Sequence, residues 1–230
     1  MIKTVFLDLD DTILDFQKGE RRAIWQTLAE IGIEPSEEII EKYMEINLSC
    51  WRALERGEMT RNEVLWGRFD RLFDELSFVG DSKATQRLYQ SLLSREHDFL
   101  EGGKELLEDF RRSGKYSLYI ATNGIPEVQK PRIISSGVGE YFTDVFISEE
   151  IGCAKPQKEF FERCFARIEG FKRDECIIVG DSLSSDIQGG INAGILTCHF
   201  NPKDKPYTNV TPDYKIARLQ ELIPLLDSIN

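Results

Sequence analysis

A chain of 230 residues, 41% hydrophobic and 30% charged, has the make-up of a globular protein that can carry one core domain plus an insertion. Its net charge of −11 and the lack of any Lys/Arg-rich run exclude a nucleic-acid polymer or an anionic membrane as partner. Five cysteines without a C-x-x-C pair, and two histidines, provide no zinc framework and point to reduced, buried thiols in a cytoplasmic protein.

Met1-Ile2-Lys3 leads into the first predicted strand, Thr4-Val5-Phe6-Leu7, without a signal sequence. The strand ends on Asp8-Leu9-Asp10-Asp11-Thr12. Carboxylates spaced i, i+2 there can face one pocket at the C-terminal edge of a sheet, where open α/β sheets bind ligands. One can bind a cation or attack an electrophile while the other moves protons. Acidic residues after a strand are also ordinary turn chemistry, so this segment alone leaves both readings open.

The next hundred residues read as helices only. Ile24, Leu28 and Ile31 form one apolar face, and Leu65, Phe69, Leu72 and Leu76 another. Thr60 and Glu63 are spaced as a capping box. Ile40, Met44, Asn47, Trp51 and Leu54 share a third face, on which the Asn47 amide is the exception. It is either a buried, hydrogen-bonded structural residue or a group that meets a substrate. Residues 15–99 are thus expected to form an inserted α-helical cap, and residues 1–14 with 100–230 the core.

Beyond the insertion, β-branched runs at 116–121, 144–147, 176–179 and 195–198 alternate with helical patterns. Leu106, Leu107 and Phe110 lie on one that ends at Gly114, and Phe160 to Ile168 on one that ends at Gly170. Such alternation predicts an α/β protein with a parallel sheet and right-handed crossovers. Pro224, inside the last helical pattern, predicts a short or kinked helix.

Each of the later strands but the last is followed by polar residues. Thr122-Asn123-Gly124 offers a hydroxyl, an amide and backbone N–H groups suited to a phosphate, although T-N-G is also common turn chemistry. Lys155-Pro156 follows the third strand. Gly180-Asp181-Ser182, with Asp186 five residues beyond Asp181, follows the fourth. Asp181 could simply cap a helix, but with Asp8 and Asp10 it would make the hard oxygen site that Mg²⁺ prefers.

In this order and spacing, Asp8-x-Asp10-x-Thr12, Thr122-Asn123, Lys155 and Gly180-Asp181-x-x-x-x-Asp186 resemble the haloacid dehalogenase superfamily. The resemblance implies a Rossmannoid core with strand order 5-4-1-2-3 and a helical cap inserted after the first motif. Within the superfamily the chain is similar to the pyrimidine 5'-nucleotidases. Asn47, Trp51, Gly57 and Arg68-Phe69 carry that likeness, with Ile147-Ser148-Glu149-Glu150 and Gly189-Gly190-Ile191-Asn192-Ala193-Gly194. Lys130-Pro131 departs from the pattern, while Gln129 and Arg132 fit it.

The resemblance implies a Mg²⁺-dependent phosphomonoester hydrolase that works through an aspartyl-phosphate. Asp8 would be the nucleophile and Asp10 the general acid and base, with Thr12 orienting these carboxylates by hydrogen bonding. Thr122, Asn123 and Lys155 would stabilise the phosphoryl oxygens. Asp8, the Asp10 carbonyl and Asp181 would hold the metal, with Asp186 ligating through water or fixing the outer shell. Asn47, Trp51 and Arg68 would select a pyrimidine nucleoside monophosphate. Phosphoglycolate is the competing substrate, a phosphomutase the competing reaction, and a catalytically idle binding module the reading outside enzymes. A small phosphorylated molecule is thus the expected partner, and the protein itself a monomer or small homo-oligomer.

Overall fold

The computed structural model describes residues 1–207 and 209–229. Among them, six strands form one parallel sheet in the order β3-β2-β1-β4-β5-β6. These are β1 (Thr4–Leu7), β2 (Ser117–Thr122), β3 (Asp144–Ile147), β4 (Cys176–Gly180), β5 (Leu196–Phe200) and β6 (Tyr214–Ile216). The first five stand in the expected order. The sixth extends one edge by three residues, Tyr214-Lys215-Ile216, too few to give a readable alternation.

Every residue of β1 is buried, as its unbroken apolar run requires of a strand covered on both faces. Alternation sends Val5 and Leu7 into one apolar layer and Phe6 into the other. The first layer packs under α5 (Gly103–Ser113) and α10 (Leu222–Ser228) through Leu106, Leu107, Phe110, Leu222 and Leu226. The second layer packs under α8 (Lys158–Phe165) and α9 (Gln188–Ala193), where Phe6 meets Tyr119, Phe146, Phe161 and Phe165 at ring-centroid distances of 5.5 to 6.0 Å.

One helix departs from the sequence reading, and the last is as short as Pro224 predicts. The pattern expected to run to Gly170 stops as α-helix at Phe165, where the Arg167 and Ile168 N–H groups bond three residues back and tighten the chain. The last helix is short. Pro224 stands in its first turn, where its missing N–H costs nothing, and a 3-10 turn, Leu219–Glu221, precedes it. By contrast α6 (Pro126–Ser136) continues through Pro131.

The chain divides into two compact units, residues 1–16 with 97–230, and residues 17–96. Within the first, the outgoing and returning segments are tied by Asp15 N–H to the Asp98 carbonyl and Leu100 N–H to the Ile13 carbonyl, both 2.9 Å. The second is built on α1 (Phe16–Glu30), α2 (Glu37–Glu55), α3 (Arg61–Leu76) and α4 (Ser82–Leu93). Its helix starts are capped by Ser36, by the Thr60–Glu63 capping box and by Asp81. The buried stripe of α2 is Ile40, Tyr43, Asn47, Cys50 and Ala53; Met44, Trp51 and Leu54 flank it half-buried. Among the described residues no helix is long and apolar enough to cross a membrane.

Candidate active site

The strand order reverses at β1, which pairs with β2 on one side and β4 on the other. This is the switch point at which parallel sheets leave a crevice beyond their C-terminal ends. Asp8 follows β1 directly, its N–H donating to the Val179 carbonyl of β4 at 2.9 Å.

Lys155 arrives after β3, and Asn123 fixes its backbone. The Asn123 amide donates to the Lys155 carbonyl at 2.8 Å and its oxygen accepts from the Lys155 N–H at 2.9 Å. The Lys155 side chain is buried, and Nζ donates to Asp8 Oδ1 at 2.7 Å, Asp186 Oδ1 at 2.6 Å and the Ala121 carbonyl at 2.6 Å. An ammonium has three protons. All three are engaged, so Lys155 acts as a fixed charge that orients Asp8. Donating to a phosphoryl oxygen, the role expected from the sequence, would require one of these bonds to be exchanged. Burial works against its charge, but Asp186 and Asp8 outweigh it and hold its pKa above the ordinary lysine value.

The carboxylates of Asp8, Asp181 and Asp186 each bring an oxygen within 4.8 Å of the others. Asp186 is fully buried; Oδ1 accepts from Lys155 and Oδ2 from the Ser182 N–H at 3.0 Å. Residue 180 must be glycine, since a Cβ there would stand 2.2 Å from Asp186 Oδ2. Asp186 thus faces inward and binds Lys155 to the loop after β4, an outer role. Burial, then the Asp186, Asp8 and Asp11 charges, hold the Asp181 carboxyl well above the usual range. The Asp8 carboxyl is pushed up to about 8, chiefly by burial, with Asp186 and Asp10 adding to it against Lys155. An oxygen-only donor set with uncompensated negative charge fits a hard divalent cation.

Behind Asp181 stands a residue that the sequence reading did not assign. His199 Nε2 lies 2.9 Å from the Asp181 carbonyl, and Nδ1 lies 3.2 Å from the Tyr207 hydroxyl. A carbonyl only accepts, so Nε2 carries the proton and Nδ1 accepts from Tyr207. Burial lowers the His199 pKa and keeps the ring neutral. Its only sequence signal was a histidine at the end of an apolar strand.

Asp10 is held from α6. Arg132 Nη1 donates to Oδ1 at 2.6 Å and Gln129 Nε2 to Oδ2 at 2.7 Å. The Gln129 amide also reaches the Thr122 hydroxyl at 2.8 Å, which accepts the Gly124 N–H at 3.1 Å as well. With both lone pairs of Thr122 engaged, its hydroxyl proton is left to donate, as a phosphate subsite needs.

Thr12 departs from expectation. It is fully buried and its hydroxyl has no hydrogen-bond partner among the described residues. The tether to the carboxylates that the sequence suggested is not formed. The three expected cap residues also stand apart from one another in kind. Asn47 and Arg68 are buried within residues 17–96, where Asn47 donates to Glu20 at 2.6 Å and accepts from Arg68 at 2.7 Å. Arg68 also donates to Gln86 at 2.9 Å and lies 4.8 Å from the Tyr89 ring. Of the three, only Trp51 is partly exposed.

Comparison with known proteins agrees with this geometry. A family model described as hydrolase, haloacid dehalogenase-like hydrolase, matches residues 2–194. The pyrimidine 5'-nucleotidase PynA of Streptococcus pneumoniae is 36% identical over 98% of this chain and 95% of its own. The pyrimidine 5'-nucleotidase YjjG of Escherichia coli is 29% identical, covering 96% of each. The crystal structure of the HAD-hydrolase YfnB of Bacillus subtilis, bound to magnesium, superposes with a TM-score of 0.93 at 37% identity, over 98% of this chain and 99% of that one.

Proposed function

The chain belongs to the haloacid dehalogenase-like hydrolases, and from that premise we propose that it is a Mg²⁺-dependent 5'-nucleotidase for pyrimidine nucleoside monophosphates. The observation that carries the hydrolytic reading is the Asp8 carboxylate. Its Oδ1 is pinned by the buried Lys155, while no hydrogen bond to Oδ2 is formed among the described residues, so one oxygen is oriented and the other is left to attack. The substrate class rests on the likeness to PynA and YjjG along nearly the whole chain.

Asp8 attacks phosphorus in line, the P–O ester bond breaks, and the departing oxygen takes the Asp10 proton. Water then attacks the aspartyl-phosphate, Asp10 takes its proton, and inorganic phosphate leaves with Asp8 restored. The Thr122 hydroxyl and the Asn123 N–H hold the phosphoryl oxygens, and Lys155 keeps Asp8 in line. Mg²⁺, when bound by Asp8, Asp181 and the Asp10 carbonyl with Asp186 behind them, would supply the positive charge that lets a phosphate approach this anionic cluster. In the helical unit, Trp51 offers an aromatic surface to a base, and Asn47 and Arg68 support it by fixing the helices around it.

The test is phosphate release with Mg²⁺ from UMP, dUMP, dTMP, sugar phosphates and phosphoglycolate. Pyrimidine nucleotides should lead, and Asp8→Asn should fall to background on all of them. Activity retained in Asp8→Asn would overturn the covalent route. Phosphoglycolate in the lead would move the substrate class, and phosphoryl transfer without phosphate release would indicate a mutase.

A further inference from the structure

Resting on the phosphatase reading above, we infer that Gln129 and Arg132 are positioning residues that set Asp10 at the leaving oxygen, and so decide which esters the enzyme can cleave. Arg132 is the bulkiest fully buried side chain described, with 1% of its side chain exposed. A guanidinium is not buried without a partner of opposite charge. Here that partner is Asp10, a partly exposed residue 122 positions earlier in the chain. Arg132 also donates to Gln129 Oε1 at 2.7 Å and lies 5.4 Å from the face of Phe16.

Gln129 lies one turn before Arg132 on α6, so both side chains leave the helix on the same side. Its Nε2 bridges Asp10 Oδ2 and the Thr122 hydroxyl. The backbone is shaped to admit it: a Cβ at Gly124 would stand 2.4 Å from Gln129 Nε2 and 2.6 Å from Cγ. Proton donor and phosphate cradle are therefore referenced to one amide. A carboxylate has about four acceptor directions. Arg132 and Gln129 take two and fix its rotation, leaving the others for the proton that passes to the ester oxygen.

An ester whose departing oxygen is a poor leaving group needs that proton, whereas p-nitrophenolate departs without it. The readout is kcat/KM, which reports events up to departure of the leaving group and is blind to the later attack of water. Gln129→Leu should lower kcat/KM for UMP about 100-fold, the scale of general acid help, and for p-nitrophenyl phosphate less than about 5-fold. Arg132→Lys keeps the charge without the fork and should show the same split at a smaller size. Gly124→Ala leaves both side chains in place but puts a methyl where the Gln129 amide lies, so it should reproduce the Gln129→Leu split in a chain of unchanged charge. Equal losses on both esters, or no loss, in variants that melt like the parent would overturn this inference alone. Phosphate release from neither ester by the unmodified protein would overturn the phosphatase reading and this inference with it.

Discussion

Both units of this protein bury charge, and they do so differently. Among residues 17–96, Glu20 and Arg68 make one anion and one cation, joined through the Asn47 amide, with Gln86 and Tyr89 completing the cluster. In the core, Asp8, Asp10, Asp181 and Asp186 stand against Lys155 and Arg132. The first set pairs one buried anion with one buried cation through a shared amide, which gives helix-to-helix specificity. The second keeps a surplus of negative charge out of water, a costly arrangement that a bound cation relieves. Buried charge alone does not mark a site; imbalance does.

Metal removal should break the comparison most visibly. Chelation should abolish turnover, Mg²⁺ should restore it, and Asp181→Ala should raise the Mg²⁺ concentration needed for half-maximal rate. The surplus also predicts a pH signature in stability. Asp8 titrates near 8 in the folded metal-free chain and near 4 when unfolded, and Asp181 is raised in the same sense. Between those values the folded state holds more protons, so metal-free stability falls as pH rises from about 4 to about 8. The gain in melting temperature from Mg²⁺ over chelator should therefore be larger at pH 8 than at pH 6, by more than about 2 °C. A gain that does not grow with pH would mean that the carboxylates are not repelling one another.

The helical unit gives the next largest effect. Arg68→Met removes the buried cation of this cluster, leaving the Asn47 and Gln86 oxygens without its donors, and should cost about 3–5 kcal/mol, read by denaturant unfolding. Asn47→Ala should lower stability too, and change KM for UMP and for p-nitrophenyl phosphate alike. A rise in KM confined to the nucleotide would place this network in contact with the base, and the contrast between the two units would soften.

The core was legible because its chemistry repeats at strand ends. Asp8, Thr122, Lys155 and Asp181 each follow a short apolar run, and five strands could be placed and ordered from that pattern and the family likeness it carries. What stayed hidden was pairing. Nothing in the spelling of Gln129 and Arg132 says that both end on Asp10, or that His199 bonds the Asp181 carbonyl, because these contacts join elements 18 to 122 positions apart. In the helical unit the difficulty was one of degree. Asn47 sits on the apolar stripe that the sequence showed, but the stripe is centred on Tyr43 and Cys50, so the amide points into the bundle interior.

Thr12 offers the smallest and most discriminating test. Its type and spacing suggest a hydroxyl that steadies the catalytic carboxylates, yet that hydroxyl is buried and unbonded. Leaving a polar group in that state costs about 1–3 kcal/mol, whereas a methyl of the same shape costs none of it. Thr12→Val should therefore unfold at the same denaturant concentration as the parent or higher, a gain of about 1 kcal/mol, and keep kcat within about 3-fold. A hydroxyl that did orient Asp8 or Asp10 would give a different pair of results, a lower midpoint and a kcat reduced toward about 100-fold, the lower end of what positioned acid–base groups contribute. The midpoint moves in opposite directions under the two accounts and kcat falls under only one of them, so the pair decides whether Thr12 belongs to the charged cluster or to the packed floor beneath it.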